Sequence, residues 1–119
     1  MKILIVDDNP GVRRLLRRAV EPITSQVSEC GDGSEALATY SKGWPDVVLM
    51  DVRMPQMDGL QATKQIRQFY PTARIVIVTD YDDEDLRQAA SEAGACGYSL
   101  KQNLTDLPQL ILSLFSKEQ

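Results

Sequence analysis

The sequence predicts an α/β fold: a single doubly wound five-stranded parallel sheet with helices on both faces. Strand-like and helix-like segments alternate five times along the 119 residues, an alternation that builds right-handed crossovers around a parallel sheet. Most of the strand-like segments are continuous apolar runs, as strands buried on both faces require. The third observation is where polar groups fall. Asp7 and Asp8 follow Ile3-Leu4-Ile5-Val6, and Asp51 follows Val47-Val48-Leu49-Met50. Thr79 closes Ile75-Val76-Ile77-Val78, and Lys101 follows Tyr98-Ser99-Leu100. In a parallel sheet the carboxyl ends of strands share one edge, and ligands bind in the crevice outside it.

The first strand is Lys2–Val6. Asn9 can cap a helix and Pro10 suits its first position, so a helix is expected over Pro10–Val20. Val12, Leu15, Leu16, Ala19 and Val20 make its apolar stripe, and Glu21-Pro22 ends it. The second strand, Gln26–Cys30, is more polar and belongs at a sheet edge. Asp32 and Glu35 stand at capping-box spacing before a helix over 33–42, which Gly43 closes ahead of Pro45. The third strand is expected over 46–50. A helix over 60–70 follows, capped by Asp58 and stopped by Pro71. The fourth strand is expected over 74–78, with a helix over 83–93 ended by Gly94. The fifth strand is expected over 96–100. The last helix is expected over 106–116, with Thr105 as its cap and Pro108 in the first turn, where no donor is needed. Leu110, Ile111, Leu114 and Phe115 form its core stripe, and Leu112 falls off that stripe.

No linker, repeat or low-complexity tract divides the chain, so residues 1–119 read as one domain. The net charge is -4, which argues against gripping a phosphate backbone. No apolar run is long enough to cross a bilayer, and no signal pattern opens the chain; a cytoplasmic protein is expected. Cys30 and Cys96 suggest small buried hydrophobes, not a disulfide framework. The absence of histidine removes imidazole as ligand, base or phosphoryl carrier.

Clustered Asp7, Asp8 and Asp51 would repel one another without a cation. Hard oxygen ligands without His or Cys suit Mg²⁺, and the Arg53 backbone carbonyl stands two residues beyond Asp51 as a further ligand. Asp51 is best placed as a nucleophile, since a carboxylate can attack phosphorus to form an acyl phosphate. Lys101 supplies a cation and Thr79 a hydroxyl for a phosphoryl oxygen, which meets the need of phosphoryl transfer for positioning and neutralisation. An aspartyl phosphatase would need a second acid two residues after the nucleophile, where Arg53 stands. A nucleotide or flavin binder would need a glycine-rich phosphate loop, where the acidic turn Asp7-Asp8-Asn9-Pro10-Gly11 stands.

The pieces Ile3-Leu4-Ile5-Val6-Asp7-Asp8-Asn9, Leu49-Met50-Asp51-Val52-Arg53-Met54-Pro55, Met57-Asp58-Gly59, Thr79 and Lys101 resemble the response-regulator receiver domain of bacterial two-component signalling. Gly97-Tyr98-Ser99-Leu100-Lys101 is similar to the subfamily whose receivers precede a helix-turn-helix output domain. The resemblance implies the flavodoxin-like strand order 2-1-3-4-5, with Cys30 and Cys96 on opposite edge strands, too far apart to bridge. It implies that Asp51 accepts a phosphoryl group from a histidine kinase or phosphotransfer protein. Asp8, Asp51 and the Arg53 carbonyl would hold Mg²⁺, with Asp7 acting directly or through water. Thr79 and Lys101 would bind the phosphoryl group. Tyr98 would change rotamer as Thr79 moves, remodelling the output face for an effector or a homodimer. The chain would catalyse only its own phosphoryl transfer and dephosphorylation. A degenerate receiver that only binds partners, or a stand-alone regulator without a DNA-binding output, is the alternative. The sequence departs from the family pattern at Gln102, where proline with a cis bond is usual, so a trans bond is expected. It departs again at Asp80, where a small residue is usual, with Asp82, Asp83, Glu84 and Asp85 behind it. Arg13, Arg14, Arg17 and Arg18 make a basic stripe that suits docking of an acidic kinase or phosphotransfer helix.

Overall fold

In a computed structural model, residues 1–116 are described, and the side chains through 115. Five parallel strands lie in the order β2-β1-β3-β4-β5. They are β1 (Lys2–Val6), β2 (Gln26–Cys30), β3 (Val47–Met50), β4 (Ile75–Thr79) and β5 (Gly97–Leu100). The helices between them are α1 (Pro10–Val20), α2 (Gly33–Gly43), α3 (Gly59–Phe69), α4 (Glu84–Ala93) and α5 (Leu107–Ser116). The doubly wound sheet and its strand order therefore match the sequence expectation.

Alternation along the strands divides the core into two layers. Ile3, Ile5, Val47, Leu49, Val76 and Val78 face α1 and α5, where Leu16, Val20, Leu107, Ile111 and Leu114 are buried. Leu4, Val6, Val48, Met50, Ile75 and Ile77 face α2, α3 and α4, against Ala36, Tyr40, Ala62, Ile66 and Ala90. All of β1 beyond Lys2, and all of β3 and β4, is buried, whereas edge strand β2 is not. Central strands with two covered faces leave their terminal polar residues as the groups that reach a ligand.

Several local readings change. Leu15 is 56% exposed, because the buried stripe of α1 runs through Val12, Leu16, Ala19 and Val20 and leaves Leu15 on its rim. Asn9, Asp32, Asp58 and Asp83 each cap a helix through a side-chain oxygen, but Glu35 reaches the Gly31 N–H at 3.1 Å instead of completing the capping box on Asp32. Gly43 is the last residue of α2, and Trp44 takes the left-handed position at φ 47. Its indole packs T-shaped against Tyr70 at 5.2 Å between centroids, a contact that helps offset the local strain. Thr105 is not a cap: a 3-10 segment, Lys101–Asp106, precedes α5. Cys96 is exposed and is no core hydrophobe, while Cys30 is half-buried. Leu110 and Phe115 are only partly buried, and Leu112 is exposed. Among the described residues no peptide bond is cis, in line with Gln102, and no helix is long and apolar enough to cross a membrane.

Candidate functional site

The carboxyl ends of β1, β3, β4 and β5 bring five of the expected groups to one cleft of about 230 Å³, lined by Asp7, Asp8, Asp51, Thr79 and Lys101 and rimmed by Arg53, Asp80 and Tyr81. Parallel register does this. Val6 pairs with Met50, so Asp7 and Asp51 emerge side by side, and Thr79, the last residue of β4, pairs with Leu100, which Lys101 follows.

Asp7 is 1% exposed and Asp51 7%, while Asp8 is open to solvent. One carboxylate oxygen from each of Asp7, Asp8 and Asp51 lies within 4.8 Å of the others. Lys101 Nζ reaches between two of them, 3.0 Å from Asp51 Oδ1 and 3.1 Å from Asp7 Oδ2. Asp7 Oδ1 accepts from the Asn9 N–H at 2.9 Å, whereas buried Asp7 Oδ2 has no well-directed hydrogen bond. What it meets is the lysine charge alone. Burial is the main force on Asp51 and raises its pKa; the Lys101 hydrogen bond pulls against this, and the charge of Asp7 adds to the rise. For Lys101 burial is a downward pull, but the hydrogen bond and charge of Asp51, with Asp7 behind them, leave it raised. The donor set is all hard oxygen with an underserved anionic atom, which fits a divalent cation of the magnesium kind.

Thr79 is 2% exposed, and its Oγ1 accepts from the Tyr81 N–H at 3.3 Å. That acceptor role leaves the hydroxyl proton to be donated into the cleft. The Tyr98 hydroxyl donates to the Tyr81 carbonyl at 2.6 Å, with Arg87 over its ring at 4.3 Å. The two peptide groups of Tyr81 thus stand between Thr79 and Tyr98.

A model of the response regulator receiver domain matches residues 3–112. The chain belongs to this family. The receiver is 43% identical over 103 residues, 85% of its length, to the uncharacterized transcriptional regulatory protein YhcZ of Bacillus subtilis, of which it covers 48%. It is 38% identical over 100 residues to the chemotaxis protein CheY of Halobacterium salinarum, covering 84% of this chain and 83% of that one. The crystal structure of a LuxR-family two-component response regulator from Aurantimonas sp. SI85-9A1 superposes with a TM-score of 0.90 at 36% identity, covering 98% of this chain and 85% of that one. The receiver spans about half the length of the curated relatives YhcZ, YxjL and DegU, at 48%, 50% and 44%. As a receiver it is a phosphorylation-controlled switch of the two-component type, and its acidic cleft is of the kind that holds a divalent cation.

The structure also gives two arginines of the basic stripe a role that the sequence pattern did not point to. Arg13 Nη1 donates to the Asp7 carbonyl at 2.7 Å while its Nε pairs with Glu29 at 2.9 Å. Arg17 pairs with the same Glu29 at 2.5 Å. The Arg17 hydrogen bond leads in holding the Glu29 carboxyl below its usual range, against the opposing effect of burial. The basic stripe is therefore split: Arg13 and Arg17 brace the receiver itself, and Arg14 and Arg18 stay exposed.

Proposed function

We propose that Asp51 is the phosphoacceptor of this receiver, that the receiver unit spans residues 1–119, and that its donor is a histidine kinase or phosphotransfer protein. The observation that carries this reading is the ammonium of Lys101 set between Asp51 and Asp7 in an acidic cleft. An Asp51 carboxylate oxygen attacks the donor phosphorus, the phosphorus–nitrogen bond to the donor histidine breaks, and the electron pair returns to the imidazole. Asp8, Asp51 and the Arg53 carbonyl would hold Mg²⁺, with Asp7 direct or through water; the ion supplies positive charge for the incoming phosphoryl group. Lys101 moves its charge from Asp51 to a phosphoryl oxygen, and Thr79 donates its hydroxyl proton to another. Drawing Thr79 inward draws on the Tyr81 N–H, and through the Tyr81 carbonyl on Tyr98. That chain of contacts supports Tyr98 as the aromatic whose rotamer reshapes the face built by α4, β5 and α5 for an effector or a second copy.

The chain turns over no separate substrate in this reading. Similarity to a transcriptional regulatory protein, YhcZ, and to the LuxR-family regulator of Aurantimonas supports a transcriptional output reached through an effector domain, not through direct nucleic-acid binding by this acidic unit, and a cytoplasmic setting. Phosphoramidate or acetyl phosphate with Mg²⁺ is expected to add one phosphoryl group by intact mass, lost in Asp51→Asn. No mass gain with any donor, histidine kinases included, would favour a receiver that only binds partners. Exposed Arg14 and Arg18 support donor docking on α1. Reversing both to Glu is expected to slow kinase-driven phosphorylation roughly tenfold or more while uptake from phosphoramidate changes little. Equal slowing with both donors sinks the docking role.

A further inference from the structure

The loop from Asp51 to Asp58 carries two of the ligands proposed above, the Asp51 carboxylate and the Arg53 carbonyl. At its far end the Gly59 N–H donates to the Val52 carbonyl at 2.7 Å. In its middle, the Gln56 and Met57 amides donate outside the loop to one side chain. Asp32 Oδ1 accepts from Gln56 N at 3.1 Å, and Asp32 Oδ2 accepts from Met57 N at 3.2 Å. The same Oδ2 accepts from Ser34 N at 2.9 Å and so caps α2. Gly33 shows how close the two segments run: a Cβ there would fall on the Met57 carbonyl oxygen, with the Asp58 oxygen at 3.0 Å. These bonds, led by the Ser34 amide and then Gln56, hold the Asp32 carboxyl down to about 2, so the acceptor stays ionised at any physiological pH.

We infer that Asp32 is a positioning residue of the phosphorylation site: its carboxylate tethers the 51–58 loop to the N-terminus of α2 and so sets where the Arg53 carbonyl points. This rests on the reading of Arg53 as a metal ligand. Met54 and Met57 also hold the loop by packing against the core. Apolar contact restrains position but not the rotation of a peptide plane, whereas two directed bonds to a rigid helix end restrain both. Gln56 is exposed, so water satisfies its amide when the tether is cut, and the fold tolerates the loss while the carbonyl two peptides upstream gains freedom.

The test compares Asp32→Ala and Asp32→Asn with Glu35→Gln, which removes a neighbouring negative charge without touching the loop. Calorimetric titration with MgCl₂ is expected to show affinity falling roughly tenfold in Asp32→Ala, as loss of an outer-shell partner does. A smaller loss is expected in Asp32→Asn, which keeps one acceptor oxygen, and none in Glu35→Gln. Amide hydrogen exchange at Gln56 and Met57 is expected to speed up in Asp32→Ala without metal present. Unchanged exchange at both amides overturns the tether. Faster exchange with unchanged Mg²⁺ affinity overturns its positioning role. Should the wild type itself take no Mg²⁺, the ligand assignment fails, and the exchange data alone then decide the tether.

Discussion

A Gly59→Ala variant is expected to melt roughly 10 °C below the wild type and to phosphorylate slowly even where it stays folded. Gly59 opens α3 immediately behind the phosphoacceptor. A Cβ at this position would land on the Asp51 carbonyl oxygen, with the Asp51 carbonyl carbon at 2.8 Å and Met50 Cγ at 2.9 Å. The obstacle is the Asp51 backbone just past the end of β3, so no rotamer change relieves it. Either α3 retreats, breaking the Gly59–Val52 hydrogen bond of 2.7 Å, or Asp51 shifts away from Lys101. Overpacking of this kind costs about 3 kcal/mol, a large share of the roughly 6–18 kcal/mol available to a chain of this size. Gly43→Ala is the matched control. Nothing lies within 4 Å of the added Cβ there, and alanine is the better helix former, so it should melt at or slightly above the wild type. Thermal melts followed by circular dichroism decide it. A Gly59→Ala midpoint within about 2 °C of the wild type would mean the close approach of α3 to Asp51 is not a constraint.

The reach of sequence reasoning depends on the range of the interactions involved. β1, β3 and β4 were legible because double burial writes itself as unbroken apolar runs, and the site was legible because its residues stand at the ends of those runs. Asp7, Asp51, Thr79 and Lys101 needed no knowledge of side-chain contacts, only of strand ends. Helix starts were legible at Asn9 and Asp58, where a cap bonds two or three residues ahead. Failures came where a side chain acts across the fold. Asp32 looked like a cap and is one, but its bonds to Gln56 and Met57 depend on α2 lying beside the 51–58 loop. Arg13 looked like one of four equivalent arginines; its contact with the Asp7 carbonyl depends on how α1 folds back over the end of β1, and its pairing with Glu29 depends on β2 lying beside β1. Trp44 could not be foreseen in a left-handed conformation, because its compensation comes from Tyr70 in another helix's cap. The 3-10 segment Lys101–Asp106 follows β5 directly, and no local pattern specifies its course.

Lys101→Met should cost about 3 kcal/mol at neutral pH, and Mg²⁺ should return most of it. The lysine side chain is 16% exposed, facing Asp7 at 1% and Asp51 at 9%, so its removal leaves two buried carboxylates repelling each other. The pH dependence has a definite sign. Burial, opposed by Lys101 and reinforced by Asp7, puts folded Asp51 above its ordinary 3.8. The folded state then binds more protons than the unfolded, and this contribution is lost as pH rises through the folded value. Lys101 is itself raised above 10.5; its contribution is complete below that value and is lost as pH climbs through the folded one. Removing the ammonium widens the first window and abolishes the second. Urea unfolding of both proteins should therefore give the smallest difference at acid pH, where protonation of Asp51 relieves the repulsion, and a growing deficit for the variant as pH rises toward neutrality. At a Mg²⁺ concentration about a hundredfold above its dissociation constant, a cation bound only by the folded state adds about 2.7 kcal/mol. That addition should lift Lys101→Met more than the wild type, whose own ammonium competes for the same oxygens. A deficit that is flat with pH and indifferent to Mg²⁺ would show that the lysine stem, not its charge, stabilises the cleft, and Asp7 and Asp51 would then need another source of neutralisation.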